Sequence, residues 1–269
     1  MPYIAHEIGH LFICLNPYDN DFFSKLTWYY ELIGFTKPRL SLNQAEEIVE
    51  KYLGGEVKNI LGDFIAIYTK MFNDLSLNIV DILCLLREIY CDIYATLIAG
   101  PSYPLTLISA YPHPSGEYSD ISIQTFLRLY ACAKVCENIG YEGRNGKTLA
   151  ENIIEYLEKK FNKEIIEKID LNKDNYSKII NDIIQQLRSK VIKSLKIFTR
   201  DKWRESLRDA ENIIDGRDFM RSLTRRDAIY VLNVIWAIRL KNGEKYRLSY
   251  YSPRHSFHVI NILCGDLHE

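Results

Sequence analysis

The chain has 269 residues, enough for one large domain or two small ones, and 47% of them are hydrophobic, enough to fill a sizeable core. Lys and Arg number 34 against 35 Asp and Glu, so the net charge is -1. This balance argues against a nucleic-acid partner and against attraction to an anionic membrane surface. Two locally basic stretches, 187–204 and 221–226, leave nucleic-acid binding as a weak alternative.

The cysteines and the apolar stretches indicate a reducing compartment. The six cysteines lie mostly in apolar helical segments, which favours buried thiols over a disulfide framework. Cys132 and Cys136 are one helical turn apart and could share a metal, but no second pair has zinc-ribbon spacing, so core packing is favoured. Stretch 77–100 is long and apolar but carries charges that a lipid-facing span does not tolerate cheaply. With no signal peptide in evidence, we expect a cytoplasmic protein without a membrane span.

Apolar residues recur at helical spacing along almost the whole chain, and alternation over strand lengths is rare. The sequence therefore predicts a mainly α-helical protein with little or no sheet. One or two short strands are expected only within 245–263. The predicted helices, in chain order, are about 2–15, 21–34, 41–54, 57–74, 77–99, 119–139, 147–161, 174–197, 200–213 and 223–240.

The loop 141–148 divides the chain loosely in two. We expect a metal-binding helical region over 1–140 and a more charged helical region of unknown role over 141–269, packed on the first. The end of the loop, Gly-Lys-Thr, invites comparison with a phosphate-binding loop. Five residues rather than four separate it from Gly140, however, and a helix precedes it. Thr148 is therefore expected to cap the helix that follows.

The segment His-Glu-Ile-Gly-His at residues 6–10 fits the H-E-x-x-H pattern on a predicted helix. Residues four apart lie on one face of a helix, so His6 and His10 can bind one ion at distances of about 2.0–2.1 Å for zinc. Glu7 would project beside the open side of the metal and take a proton from bound water. The alternative is a hydrogen-bonded helix start without a metal.

A catalytic zinc needs a third protein ligand, and Glu88 is the strongest candidate. It lies on the predicted helix 77–99, with Asp92 one turn later. Asp92 would accept the free ring N–H of a ligand histidine, which fixes the tautomer of that ring. The alternative is that both carboxylates pair with Arg87, Arg128 or lysines of a neighbouring helix.

The HEIGH motif followed by E-x-x-x-D resembles the gluzincin class of zinc metallopeptidases. The resemblance implies a zincin-like helical core with His6, His10 and Glu88 as zinc ligands. It also implies Glu7 as general base and Asp92 as the support of a ligand histidine.

A looser similarity, to uncharacterised prokaryotic HExxH proteins, covers about residues 1–130. It rests on a Gly-Pro turn after the ligand helix and on a His-Pro segment before an Arg-Leu helix. His113, in that His-Pro segment, would donate to the oxyanion of a tetrahedral intermediate or else cap a turn. Tyr103 and Tyr111 are weaker candidates for the same donor.

These residues predict a zinc-dependent metallopeptidase acting on a peptide or protein substrate. In the peptidases that it resembles, a strand before the motif helix pairs with extended substrate. Five residues cannot build that sheet, so the strand would come from upstream, from later in the chain or from another subunit, or extended peptides are not cleaved. The alternative function is a zincin-derived helical module, catalytically weak or inactive, that binds a partner protein through 147–240. Retention of Glu7 argues against it.

Overall fold

The computed structural model describes part of the chain, namely residues 2–15, 63–64, 79–110, 120–161, 163, 166–167, 173–194, 197–215 and 228–242. Within these segments the structure contains eight α-helices and no β-strand, which confirms the mainly α-helical prediction. The predicted helices 21–34 and 41–54, most of 57–74, and the expected strands within 245–263 lie outside the described residues. The helices are α1 (Pro2–Leu15), α2 (Ile79–Ala99), α3 (Ser102–Ala110), α4 (Asp120–Ile139), α5 (Leu149–Lys160), α6 (Lys173–Ser194), α7 (Arg200–Ile214) and α8 (Ala228–Asn242).

Helix α2 ends at Gly100, as the sequence predicts. Gly100 has a φ of 66°, in the left-handed region that favours glycine. A Cβ at this position would lie 2.3 Å from a ring carbon of Phe198, so a side chain is excluded on steric grounds as well. The turn carries the chain directly from α2 into α3.

Helix α3 is absent from the sequence prediction, which ends one helix at about residue 99 and begins the next at about residue 119. The structure corrects this, since residues Ser102–Ala110 are helical. Pro101 precedes the helix and Pro104 lies in its first turn. The first backbone N–H groups of a helix have no partner within it, so a proline costs no hydrogen bond there.

The loop 141–148 ends in a helix cap rather than a phosphate site, as predicted. The Thr148 hydroxyl accepts from the backbone N–H of Glu151 at 3.2 Å, and the Glu151 carboxylate accepts from the Thr148 N–H at 2.6 Å. This reciprocal pair is a capping box and satisfies two of the free N–H groups at the start of α5.

One continuous hydrophobic cluster includes buried residues from helices on both sides of loop 141–148. Helix α2 packs against α1, α4 and α6, while α5 packs on α4 and α8 packs on α7 and α3. No described helix combines the length and the hydropathy that crossing a lipid bilayer requires. The helices that carry the candidate site, α1 to α4, are thus held in place by later helices.

Buried Asn233 joins α8 to the junction between α2 and α3. Its side-chain N–H donates to the carbonyl of Ala99 at 2.8 Å, and its side-chain oxygen accepts from the backbone N–H of Ser102 at 2.9 Å. A second donation reaches the Ile229 carbonyl at 2.9 Å. Because these backbone groups are removed from water, the amide satisfies groups that would otherwise be costly to bury.

Candidate metal centre

Helices α1 and α2 approach each other closely at Gly9, the glycine of the HEIGH motif. A Cβ at Gly9 would lie 3.2 Å from the Cα of Cys91 and 3.3 Å from its sulfur. The missing side chain lets the two helices pack with little separation. His6 and His10, on either side of Gly9 along α1, therefore reach the α2 side chain of Glu88.

The three residues predicted as metal ligands converge. The Nε2 atoms of His6 and His10 are 3.1 Å apart. The same two nitrogens lie 3.1 Å from Oε2 and Oε1 of Glu88, respectively. Ligand atoms on a tetrahedral zinc, with bonds of about 2.0–2.1 Å, are separated by about 3.3 Å. The donor set and its spacing therefore fit a zinc ion with small adjustments.

Within the described part of the chain, this is the one group of three or more His, Cys, Asp or Glu residues placed to hold a metal. Cys132 and Cys136 are free, fully buried thiols in the core, as the favoured interpretation predicts. Burial raises the pKa of both thiols, which opposes the thiolate form that a metal requires.

The other ring nitrogen of His6 faces a buried carboxylate. Nδ1 lies 2.9 Å from Oδ1 of Asp92 and 3.0 Å from the hydroxyl oxygen of Tyr103. A hydrogen on Nδ1 is accepted there, so that in the neutral ring the lone pair of Nε2 is directed at Glu88 and His10. Asp92 thus lies against His6, one of the two histidines predicted as metal ligands.

Arg128 of α4 spans both carboxylates of α2. Its Nε donates to Oδ2 of Asp92 at 2.6 Å, and its Nη2 donates to Oδ1 of Asp92 at 2.9 Å. The same Nη2 lies 3.2 Å from Oε2 of Glu88. The alternative that Arg128 pairs with these carboxylates is therefore realised, and it coexists with the approach of both histidines to Glu88.

The charges of the group reinforce one another. Burial lowers the pKa of His6, but its hydrogen bonds to Asp92 and Glu88 outweigh burial and raise the pKa to about 9. Burial raises the pKa of Glu88, but hydrogen bonds to His10 and His6 and the charge of Arg128 hold it well below its usual range. In the metal-free protein a proton on the histidine side compensates the carboxylates, and a cation can replace that proton.

Tyr103 has a role that the sequence did not suggest. Two effects raise the pKa of its phenol far above the ordinary value: burial, which is the larger, and the negative charge of Asp92. The phenol therefore stays protonated and donates its hydrogen to Asp92 Oδ1. Its hydroxyl contacts the Nδ1 side of the His6 ring, away from the ligand group. This position does not favour the alternative in which Tyr103 stabilises an oxyanion. The spacing of Tyr103 in the sequence gives no signal of this contact, which depends on the tight α2–α3 turn.

The predicted base, Glu7, is exposed on α1, although His6 beside it is only 5% exposed. Ile4 and Ile8, three residues before and one residue after Glu7, are also exposed, at 52% and 44%. Glu7 is therefore accessible to water and to a substrate, as a general base must be. His113, the predicted oxyanion donor, lies outside the described residues.

Comparison with family models, curated proteins and solved structures finds no match for this chain. The resemblance to gluzincins therefore rests on the motif residues alone.

Proposed function

We propose that this protein is a zinc-dependent metallopeptidase in which His6, His10 and Glu88 hold the zinc ion. The observation that carries the proposal is the convergence of two Nε2 atoms and one carboxylate, each histidine nitrogen 3.1 Å from a Glu88 oxygen. Support comes from Asp92, which contacts the far nitrogen of His6 at 2.9 Å, as a group that orients a metal-binding imidazole does.

Peptide hydrolysis is favoured over other metal chemistry because of Glu7. A zinc ion held by these three residues would act as a Lewis acid and would lower the pKa of its bound water to about 7. Glu7 follows the first ligand directly in the sequence and is exposed. Its carboxylate takes the proton of the attacking water and passes it to the leaving amine. His113 remains the proposed donor to the oxyanion.

The number of ligands separates this function from the alternative of a structural metal in a partner-binding helical module. A structural zinc takes four protein ligands, whereas a catalytic zinc takes three and a water. Among the residues described, the ligand group contains three. The exposed Glu7 also has no task in a purely structural site.

Metal content and peptide cleavage together test the proposal. The full chain is expressed with zinc and measured by elemental analysis, then assayed on a peptide library beside Glu7→Gln and His10→Ala. We expect about one zinc per chain in the wild type and in Glu7→Gln, and none in His10→Ala. Removing a general base should slow cleavage about 10²–10⁴-fold in Glu7→Gln.

The matched control is Glu158→Gln, which changes an exposed glutamate of α5 in the same way. It should leave both zinc content and cleavage unchanged. Undiminished cleavage by Glu7→Gln would reject Glu7 as the base. A chain that takes up no zinc would reject the metal centre. Selective uptake of iron, which also uses two histidines and a carboxylate, would replace hydrolysis by oxygen chemistry.

A further inference from the structure

We infer that Tyr103 and Arg128 are positioning residues of the metal centre. Both hold Asp92, which orients His6. In addition, Tyr103 contacts His6 directly and Arg128 contacts Glu88 directly. The inference rests on the proposed metal centre and goes beyond it. It assigns two residues, on two further helices, that bind no metal themselves and that set the geometry of the ligands.

The first step concerns Asp92, which is fully buried and has four close contacts on its two oxygens. Oδ1 receives the Tyr103 hydroxyl and the Nη2 of Arg128, and it lies 2.9 Å from His6 Nδ1. Oδ2 receives the Nε of Arg128 at 2.6 Å. A carboxylate held from several directions has one orientation, and it therefore gives the His6 ring one orientation as well.

The second step concerns Tyr103, which contacts His6 directly in addition to Asp92. Its hydroxyl oxygen is 3.0 Å from His6 Nδ1, and the two rings are nearly parallel, with centroids 6.0 Å apart and an interplanar angle of 7°. The phenol donates its hydrogen to Asp92, so its oxygen presents a lone pair to the imidazole. A neutral or charged His6 must then place its Nδ1 hydrogen on this side, which turns Nε2 towards the ligand group.

The third step concerns Arg128, whose Nη2 lies between two carboxylates. It is 2.9 Å from Oδ1 of Asp92 and 3.2 Å from Oε2 of Glu88. Glu88 and Asp92 are one helical turn apart on α2, and the planar fork of a guanidinium bridges that separation. A lysine keeps the charge but cannot hold both carboxylates in fixed directions.

The test measures the affinity for Zn²⁺ by chelator competition and the absorption spectrum of the Co²⁺-loaded chain, which reports ligand geometry. We expect Tyr103→Phe and Arg128→Lys to weaken zinc binding about 10–100-fold, the range found when the partner of a metal-binding histidine is removed. Both variants should also shift the Co²⁺ bands. Phenylalanine keeps the ring of Tyr103, so the fold is retained, and thermal melts of the metal-free chains check this.

The matched control is Tyr141→Phe. Tyr141 is also fully buried, and its hydroxyl donates to a backbone carbonyl, that of Phe198, and has no contact with the ligand group. The Tyr141→Phe variant should lose about as much stability as Tyr103→Phe, but its zinc affinity and its Co²⁺ spectrum should match those of the wild type. Equal weakening in Tyr141→Phe and Tyr103→Phe would overturn the positioning role, because a general loosening of the core would explain both.

Two further outcomes separate this inference from the proposed function. A wild type that binds zinc, with Tyr103→Phe and Arg128→Lys of unchanged affinity and spectrum, overturns the positioning role and leaves the metal centre intact. A wild type that binds neither Zn²⁺ nor Co²⁺ overturns both. A double-mutant cycle adds a check, since Tyr103→Phe should have a smaller effect on zinc affinity in an Asp92→Asn background if it acts through Asp92.

Discussion

The two histidines of the motif have unequal surroundings. His6 is 5% exposed, and both of its ring nitrogens have partners. The side chain of His10 is 21% exposed, and its Nε2 lies 3.1 Å from Oε1 of Glu88. His6 is thus held in place by the fold before any ligand binds, while His10 has more room to adjust. Metal binding at this site would therefore order mainly His10 and Glu88, the two more exposed members of the ligand group.

The raised pKa of His6 leads to a pH-dependent stability in the metal-free chain. The pKa in the fold is about 9, above the ordinary 6.5, so the bound proton stabilises the fold. This contribution is fully present below pH 6.5 and is lost as the pH rises through about 9. We expect the stability difference between wild type and His6→Gln, measured by urea unfolding with chelator present, to shrink over that window.

The comparison with His6→Gln removes the effect of other groups that titrate over the same range, such as the thiols of the unfolded chain. Glutamine is neutral at every pH, so the difference reports His6 and its carboxylate partners. A difference that grows from pH 6.5 to 9.5 would contradict the geometry around His6. With zinc bound the trend should reverse, since the metal competes with the proton and binds more tightly as the pH rises.

At the scale of the helices, the crossing of α1 and α2 decides whether the ligands meet. It depends on Gly9, where a Cβ would come within 3.2–3.3 Å of Cys91. Such a contact is closer than most packed side chains adopt, so Cys91 and the helix that carries it must shift by a few tenths of an ångström. A metal site is sensitive to shifts of about 0.5 Å.

Gly9→Ala should therefore weaken zinc binding without unfolding α1. Alanine is the better helix former by about 1 kcal/mol, which offsets part of the steric cost. We expect zinc affinity to fall about tenfold, the low end of the cost of disturbing the surroundings of a metal ligand. Ile8→Ala, at the exposed neighbouring position, is the control and should keep its affinity. An unchanged affinity in Gly9→Ala would show that the crossing tolerates a side chain.

Local and long-range features were predictable to different degrees. The helix over HEIGH and the placement of Glu88 and Asp92 follow from spacing within single helices, which the sequence carries directly. Helix α3 was missed because its two prolines are typical of loops as well as of first turns. The contact of Tyr103 with Asp92 joins separate helices, and no local pattern encodes it. The pairing of Arg128 with Asp92 was one of the alternatives that charge complementarity suggests. The role of His113 stays a prediction.

At the scale of the molecule, the ligand helices belong to a core that continues into later helices. Asn233 of α8 binds backbone groups at the α2–α3 turn, and Tyr176 of α6 donates to the carbonyl of Leu127 in α4 at 2.8 Å. The helices around the candidate ligands are thus held by hydrogen bonds from α6 and α8, which lie later in the chain. Metal binding should for this reason affect the stability of the whole described core.

Zinc removal should lower the melting temperature of the whole chain. Free zinc at about 100 times its dissociation constant stabilises a folded protein by about 2.7 kcal/mol. For a protein of this size, that corresponds to a shift of roughly 5–10 °C. Calorimetry with and without chelator measures it, and His10→Ala provides the control, with no zinc-dependent shift. If the wild type melts at the same temperature with and without chelator, the folded protein does not bind zinc at this site.

The shared carboxylate of Asp92 has a consequence for how this protein can vary during evolution. Asp92 on α2 contacts one side chain from each of three other helices, His6 of α1, Tyr103 of α3 and Arg128 of α4. Replacing any one of the four removes a hydrogen-bond partner from a buried polar group of another. Single substitutions at these positions should therefore be disfavoured, and lasting changes should arise as compensated sets. Across descendants of this chain, the four positions are expected to be retained together or lost together.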